Sequence, residues 1–268
     1  MVTEVATPTI AVYAQATTSD VLGTPAEIAE LLGLPLVDVP SDEYELLLVV
    51  GEERLELHQT DSQVGAVYCD FMSADFRRRR SGSLKSELLA KAIGYRGESL
   101  TVVDATAGFG RDSLLLALLG CAVTAVERDK VVASLLIDGV HRALGYPDLH
   151  DAVERLDLVT DDARNYLARL SEVPDVVYLD PMFVSKNRTA RPKKELWALA
   201  RLVRDDDDGA SLLDAALETG CRRVVVKRPD NGVPLEASDG RAPGVQFRGK
   251  TVRFDVYLQP DGASNTKG

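Results

Sequence analysis

The sequence predicts an α/β protein: a mostly parallel, doubly wound sheet finished by a β-hairpin, preceded by a small N-terminal α/β domain. Three observations carry this. Short apolar runs at 100–104, 122–127, 156–160, 175–180 and 222–227 alternate with helical runs at 112–119, 130–143, 162–170, 193–203 and 210–219. The strand runs are apolar almost throughout instead of at every second residue, as expected of strands covered by helices on both faces. Near the end, "VQFRGKTVRFDVYL" (245–258) reads as two strands joined by a tight RGKT turn.

Upstream, residues 8–15 alternate like a strand. Thr24-Pro25-Ala26-Glu27 then has the form of a capping box with proline at the first helical position, and Gly33 stops the helix after "IAELLG". Three more strand-like runs follow at 45–50, 54–59 and 66–71, with "VGEER" turning between the first two. Residues 1–75 are therefore read as the small domain. Residues 76–99 are read as a basic loop leading into a helix at about 84–93 that Gly94 closes. Residues 100–260 form the larger domain, and 261–268, "DGASNTKG", a disordered tail.

The bulk composition, 45% hydrophobic and 27% charged over 268 residues, is that of a soluble globular chain. The N-terminus lacks a basic segment followed by an apolar one, and the longest uncharged run, 113–126, is too short to span a bilayer, so a cytoplasmic protein is expected. Cys69, Cys121 and Cys221 form no CxxC pair and are read as buried reduced thiols. His58, His141 and His150 have no metal-ligand spacing, so no metal is expected. A net charge of −11 argues against a nucleic-acid partner when taken as a sum. The distribution points the other way locally: Arg77-Arg78-Arg79-Arg80 is a basic block, and "KNRTARPKK" (186–194) has no acid. Asp205–Asp208 is read as a solvated loop.

Three stretches carry chemistry. In "VVDATAGFGRDS" (102–113) a strand ends at Asp104, and Gly108 and Gly110 let the backbone approach a ligand ahead of a helix that Asp112 can cap. Glu127 ends the next strand, at the distance from the glycine turn where an acid accepts hydrogen bonds from a ribose diol, with Arg128 beside it. Up to this point a nicotinamide enzyme and a methyl-transferring one look alike. "YLDPMF" (178–183) separates them: Asp180-Pro181-Met182-Phe183 opens onto the same crevice and offers no base for hydride chemistry. It does offer what an aromatic amine needs, a carboxylate and the Pro181 carbonyl to accept its N–H groups and the Phe183 ring to stack on an extruded base.

Taken together, "VVDATAGFGRDS", "VERD", "VVYLDPMF", "KKEL", "VVVKRPD" and "RFDVY" resemble the RsmJ family of small-subunit ribosomal RNA methyltransferases, from about residue 10 to residue 258. The resemblance implies a Rossmann-like class I methyltransferase fold. It implies S-adenosylmethionine (SAM) as methyl donor, and N2 of a guanine in 16S rRNA or the small ribosomal subunit as acceptor. Carried over by position, it gives Arg111 and Asp112, Glu127 and Arg128, Asp162 and Ala163, and Asp180 as cofactor contacts. The chain departs from the pattern at the adenine-side pair, where "TDDAR" leaves Asp162 to bond the adenine amino group and Ala163 only its backbone. RNA phosphate is expected at Arg77, Arg78, Arg79 and Arg80, at Lys186, Arg188, Arg191, Lys193 and Lys194, and at Lys227 and Arg228 on the fifth strand of the larger domain. The alternatives are an NAD(P)-dependent oxidoreductase and a catalytically idle RNA-binding relative.

Overall fold

A computed structural model describes residues 9–19, 22–60, 65–84, 87–181, 202 and 209–259. The helix expected at 193–203 (apart from residue 202), the loop around Asp205–Asp208 and the tail at 261–268 lie outside these residues. The chain divides into two compact units, residues 1–71, 129–146 and 182–205 in one, and 72–128, 147–181 and 206–268 in the other. The sequence reading set boundaries at 75, 99 and 260; of the two units here, the first also takes in a helix from the middle of the chain.

The first unit begins with β1 (Ile10–Ala14), α1 (Pro25–Leu32), β2 (Leu36–Val37), β3 (Leu46–Val50) and β4 (Leu55–Gln59). The capping box forms as read: Thr24 Oγ1 accepts from the Glu27 N–H at 3.3 Å, and the Thr24 N–H donates to Glu27 Oε2 at 2.7 Å. Gly33, at φ 67°, closes the helix in the left-handed conformation. The sheet order is β2-β1-β3-β4, with β1 parallel to β2 and β3, and β4 antiparallel to β3. No strand forms over 66–71. Val67 makes one isolated bridge to Leu57, and Cys69 and Phe71 bury their side chains instead of continuing a ladder.

The second unit opens with α2 (Ala74–Ser81), a helix where a basic loop was expected. Ser73 caps it through the Phe76 N–H, Asp75 stands in the first turn and Arg78, Arg79 and Arg80 in the last, so both ends complement the helix dipole. Then come α3 (Leu88–Ile93), closed by Gly94 at φ 76°, β5 (Thr101–Asp104), α4 (Arg111–Leu118) and β6 (Ala122–Glu127). Next is α5 (Lys130–Leu144), which belongs to the first unit and packs on β4. The second unit resumes with α6 (Pro147–Val153), β7 (Leu156–Thr160), α7 (Ala163–Ala168), β8 (Val176–Leu179), α8 (Gly209–Glu218), β9 (Arg223–Pro229), β10 (Val245–Arg248) and β11 (Val252–Leu258).

Its seven strands run in the order β10-β11-β9-β8-β5-β6-β7, with β11 antiparallel to both neighbours and the pairs from β9 to β7 parallel. The strand order therefore reverses between β5 and β8, and a ligand crevice is expected beyond the carboxyl ends at that switch. Register decides what faces what. Val103, Val177, Leu179, Val224 and Val226 share one face and form a core with Leu213, Ala216 and Leu217 of α8 and Leu167 of α7. Tyr178 lies on the opposite face, its ring 6.4 Å from that of Phe254. Asp104, paired with Tyr178 in register, shares its face; so does Lys227, which pairs with Phe254, and so does Asp180, two residues beyond Tyr178.

The cysteines are free and buried. No helix among the described residues is long and apolar enough to cross a membrane.

Gly139, inside α5, sits against Cys69: a Cβ there would lie 2.5 Å from the Cys69 Cβ and Sγ and 3.1 Å from its carbonyl oxygen. Helix propensity alone makes Gly139→Ala stabilising by about 1 kcal/mol. The packing predicts the opposite sign, a loss of about 1–3 kcal/mol, measurable as a lower midpoint in urea denaturation.

Candidate active site

The turn after β5 is built from short contacts. Ala105 N–H donates to the Tyr178 carbonyl at 2.9 Å, and Ala107 N–H to the Val126 carbonyl at 3.0 Å, which ties the turn to both flanking strands. Gly108 (φ 53°) and Gly110 (φ 66°) occupy the left-handed region that side chains resist. Gly110 is the N-cap of α4. Asp112 was expected to cap that helix and does not.

Asp112 instead lies at the centre of a buried polar cluster. Its Oδ1 accepts from Arg79 Nη1 at 2.8 Å, and its Oδ2 from Lys227 Nζ at 2.7 Å and the Tyr178 hydroxyl at 2.6 Å. Lys227 Nζ donates a second bond, 2.7 Å, to Asp180 Oδ2. The Asp180 N–H donates to Thr106 Oγ1 at 2.6 Å. Asp104 is buried beneath, accepting from the Ser113 hydroxyl at 2.5 Å and the Thr106 N–H at 3.1 Å.

Each titration follows from these contacts. Burial alone would raise Asp112, but Lys227 and Arg79, with the Tyr178 hydroxyl, hold it well below the usual carboxylate range. Burial would lower Lys227, and its two carboxylate partners override that and raise it. Asp180 has one cation where Asp112 has two, so burial and the neighbouring Asp112 charge leave it raised against the pull of Lys227. Asp104 has no cation, and burial pushes it up to about 7 in spite of the Ser113 and Thr106 bonds.

Around this cluster stand the other expected residues. Glu127 ends β6, nearly buried, and accepts from the Gly108 N–H at 2.9 Å, which brings the glycine turn and this acid together. Arg111 and Arg128 are half-buried beside them. Asp162 caps α7 and is engaged by Arg164 through its N–H at 2.9 Å, Nε at 3.0 Å and Nη2 at 2.5 Å, and Ala163 is buried behind it. The expected Asp162 bond to an adenine amino group therefore competes with Arg164. Pro181, directly after Asp180, is buried.

The expected phosphate contacts divide. Arg77 and Arg78 are exposed on α2, Arg78 in an ion pair with Asp75 at 2.6 Å. Arg79 turns inward to Asp112 and Glu87, and Arg80 pairs with Asp148. Lys227 is held between two carboxylates, and Arg228 is buried with its Nη2 on the Val233 carbonyl at 2.5 Å. Arg79, Arg80 and Lys227 thus meet carboxylates within the fold, and Arg228 donates to a carbonyl. Phe183, Lys186, Arg188, Arg191, Lys193 and Lys194 lie outside the described residues.

The sequence reading missed Thr106, Ser113 and Tyr178. Tyr178 had a signal, a hydroxyl in an otherwise apolar buried run, which needs a partner inside. Its presence and that of Lys227 beside Asp180 also weaken the argument that no base stands at this tip.

What decides between the readings is likeness to known proteins. A family model described as "Putative SAM-dependent methyltransferase" matches residues 28–259. The ribosomal RNA small subunit methyltransferase J of Thioalkalivibrio sulfidiphilus is 44% identical over 236 residues, covering 86% of this chain and 91% of that protein. That of Coxiella burnetii is 41% identical over 244 residues, covering 88% and 94%. The chain belongs to the ribosomal RNA small subunit methyltransferase J family. A solved SAM-dependent methyltransferase from Neisseria gonorrhoeae superimposes with a TM-score of 0.72 at 35% identity, covering 96% of this chain and 98% of that one. The protein is thus a SAM-dependent methyltransferase with a Rossmann-like fold.

The residues present fit the donor. The carboxyl ends at the β5/β8 switch present a turn in which Gly108 and Gly110 carry no side chain, and Glu127 meets that turn through the Gly108 N–H. In this arrangement Glu127 would hold the ribose hydroxyls, and the backbone of the turn would lie against the amino-acid part. Among the described residues one group has metal-ligand geometry, His150, Asp151 and Glu154, all exposed on α6 and just after it.

Asp104 generates a stability prediction. Its folded value is raised from 3.8 to about 7, so over that interval the folded chain holds a proton the unfolded chain has shed, and stability falls as pH rises. Asp104→Asn makes that fall shallower, checked by urea midpoints measured across the interval for both proteins.

Proposed function

We propose that this enzyme transfers the methyl group of SAM to N2 of a guanine in 16S rRNA, and that Asp180 is the residue that grips the amine. The observation that carries the reading is Asp180 at the tip of β8: its Oδ2 is held by Lys227, its N–H by Thr106, and its Oδ1 carries no hydrogen bond among the described residues. An acceptor fixed in this way at the switch point suits an exocyclic amine. The lone pair of such an amine is delocalised into the ring, and hydrogen bonds from its N–H groups to Asp180 Oδ1 and the Pro181 carbonyl orient it toward the donor. When bound, SAM supplies an activated methyl carbon on a sulfonium, which leaves positioning as the main work of the protein.

The relatives from Thioalkalivibrio sulfidiphilus and Coxiella burnetii are named as ribosomal RNA small subunit methyltransferases, and identity above 40% across most of both chains supports the same substrate here. Guanine N2 is the finer reading and rests on the sequence resemblance. Phe183 would stack on the extruded base, and Arg77, Arg78 and the cations at 186–194 would meet phosphate, giving affinity that is sensitive to salt and indifferent to sequence. The net charge of −11 fits a substrate whose shape, in an assembled particle, supplies part of the recognition. A cytoplasmic location follows from such a substrate.

Mass mapping of 16S rRNA from cells with and without the gene tests the reading, with one methylguanine expected to disappear when the gene is deleted. With purified protein, Asp180→Ala should lower kcat by about 100-fold or more while SAM affinity changes only a few-fold. Transfer of tritium from labelled SAM to protein instead of RNA, or tight NAD binding without SAM binding, would sink it.

A further inference from the structure

Three side chains form a graded row from the interior of the second unit to its crevice. The Asp112 side chain keeps 9% of its exposure, Lys227 22% and Asp180 39%. Asp112 is already answered by Arg79 and by the Tyr178 hydroxyl, at 2.8 and 2.6 Å. Lys227 is the one cation in contact with Asp180 among the described residues, and it takes Oδ2, leaving Oδ1 without a hydrogen bond among them. A buried ion pair adds little net stability over apolar packing, so stability alone is a poor account of an ammonium shared by two carboxylates at this position.

We propose that Lys227 is a positioning residue for methyl transfer: its ammonium fixes the orientation and the negative charge of Asp180, and Arg79, acting through Asp112, fixes Lys227. This rests on the reading of Asp180 as the acceptor of the substrate amine. The geometry explains why both oxygens of Asp180 matter. An ionised carboxylate offers Oδ1 as a pure acceptor while Oδ2 is anchored; a protonated one rotates and presents a donor to an amine that has only N–H groups to give. The groups that face Asp180 are Lys227 from β9, Asp112 from α4, Asp104 from β5, Tyr178 from β8 and Arg79 from α2, the last paired also with Glu87 at the start of α3. Without Lys227 the strongest remaining charge acting on Asp180 is the like charge of Asp112, and its proton affinity rises.

The test is the pH dependence of kcat for Lys227→Met and Lys227→Arg, with SAM affinity by calorimetry and folded fraction by circular dichroism. Asp112→Asn/Lys227→Met serves as the variant that removes the uncompensated interior charge, should Lys227→Met fold poorly. The acidic limb should move to higher pH by about one unit in Lys227→Met and in the double variant. Their kcat should fall about 100-fold per folded molecule with SAM affinity nearly unchanged. Lys227→Arg, which keeps the charge, should return the limb to its original position. An unmoved limb in both methionine variants, with kcat falling only as the folded fraction falls, overturns the proposal. Asp180→Asn tells its failure from failure of the underlying reading: wild-type turnover in that variant removes Asp180 as the amine acceptor, whereas lost turnover there with normal Lys227→Met removes Lys227 alone.

Discussion

Burying charge at the carboxyl end of a parallel sheet is costly unless the charges answer one another, and this constraint organises the second unit. Asp112, Lys227, Arg79 and Asp180 come from α4, β9, α2 and the tip of β8, so their mutual neutralisation ties four separate pieces of chain to one point. Tyr178 adds its hydroxyl from within β8, and Ser113 and Thr106 satisfy Asp104 below. The crevice floor is consequently held by hydrogen bonds between elements. An enzyme whose main task is to align an acceptor with a methyl group needs such a floor.

The same cluster distributes charge unequally among chemically identical groups. Three aspartates lie close together, and each titrates differently because each has a different number of cations in contact: two for Asp112, one for Asp180, none for Asp104. The group nearest the crevice is thus held less strongly as an anion than Asp112. Family membership supplies the methyl donor.

Basic residues illustrate how far composition can mislead. "RRRR" reads as a patch for an anionic partner, yet as a helix it turns its side chains in different directions. Arg77 and Arg78 point to solvent, while Arg79 and Arg80 reach Asp112 and Asp148 within the same unit. Ser73 and Asp75 at the start of that helix are the local signal that the run is helical, since a cap and a first-turn acid complement a basic last turn. At 66–71 the error runs the other way: β-branched and aromatic residues suggest a strand, but only Val67 finds a ladder partner and the burial of Cys69 and Phe71 takes over.

By itself the sequence determined what depends on neighbours along the chain. The capping box at Thr24 and Glu27, the glycine stops at Gly33 and Gly94, the alternation of strand and helix from residue 100 to 181 and the RGKT turn all rest on local backbone preference, and all appear among the described residues. The glycine turn, Glu127 and Asp180 were legible for a related reason, because each ends a strand and parallel strands put their carboxyl ends on one edge. The tertiary structure alone decided that Lys227 meets Asp112 and Asp180 across 115 and 47 residues of chain, and that α5 leaves the larger unit for the smaller. Register between strands and the pairing of buried charges set those contacts, and neither is written in any short stretch of residues.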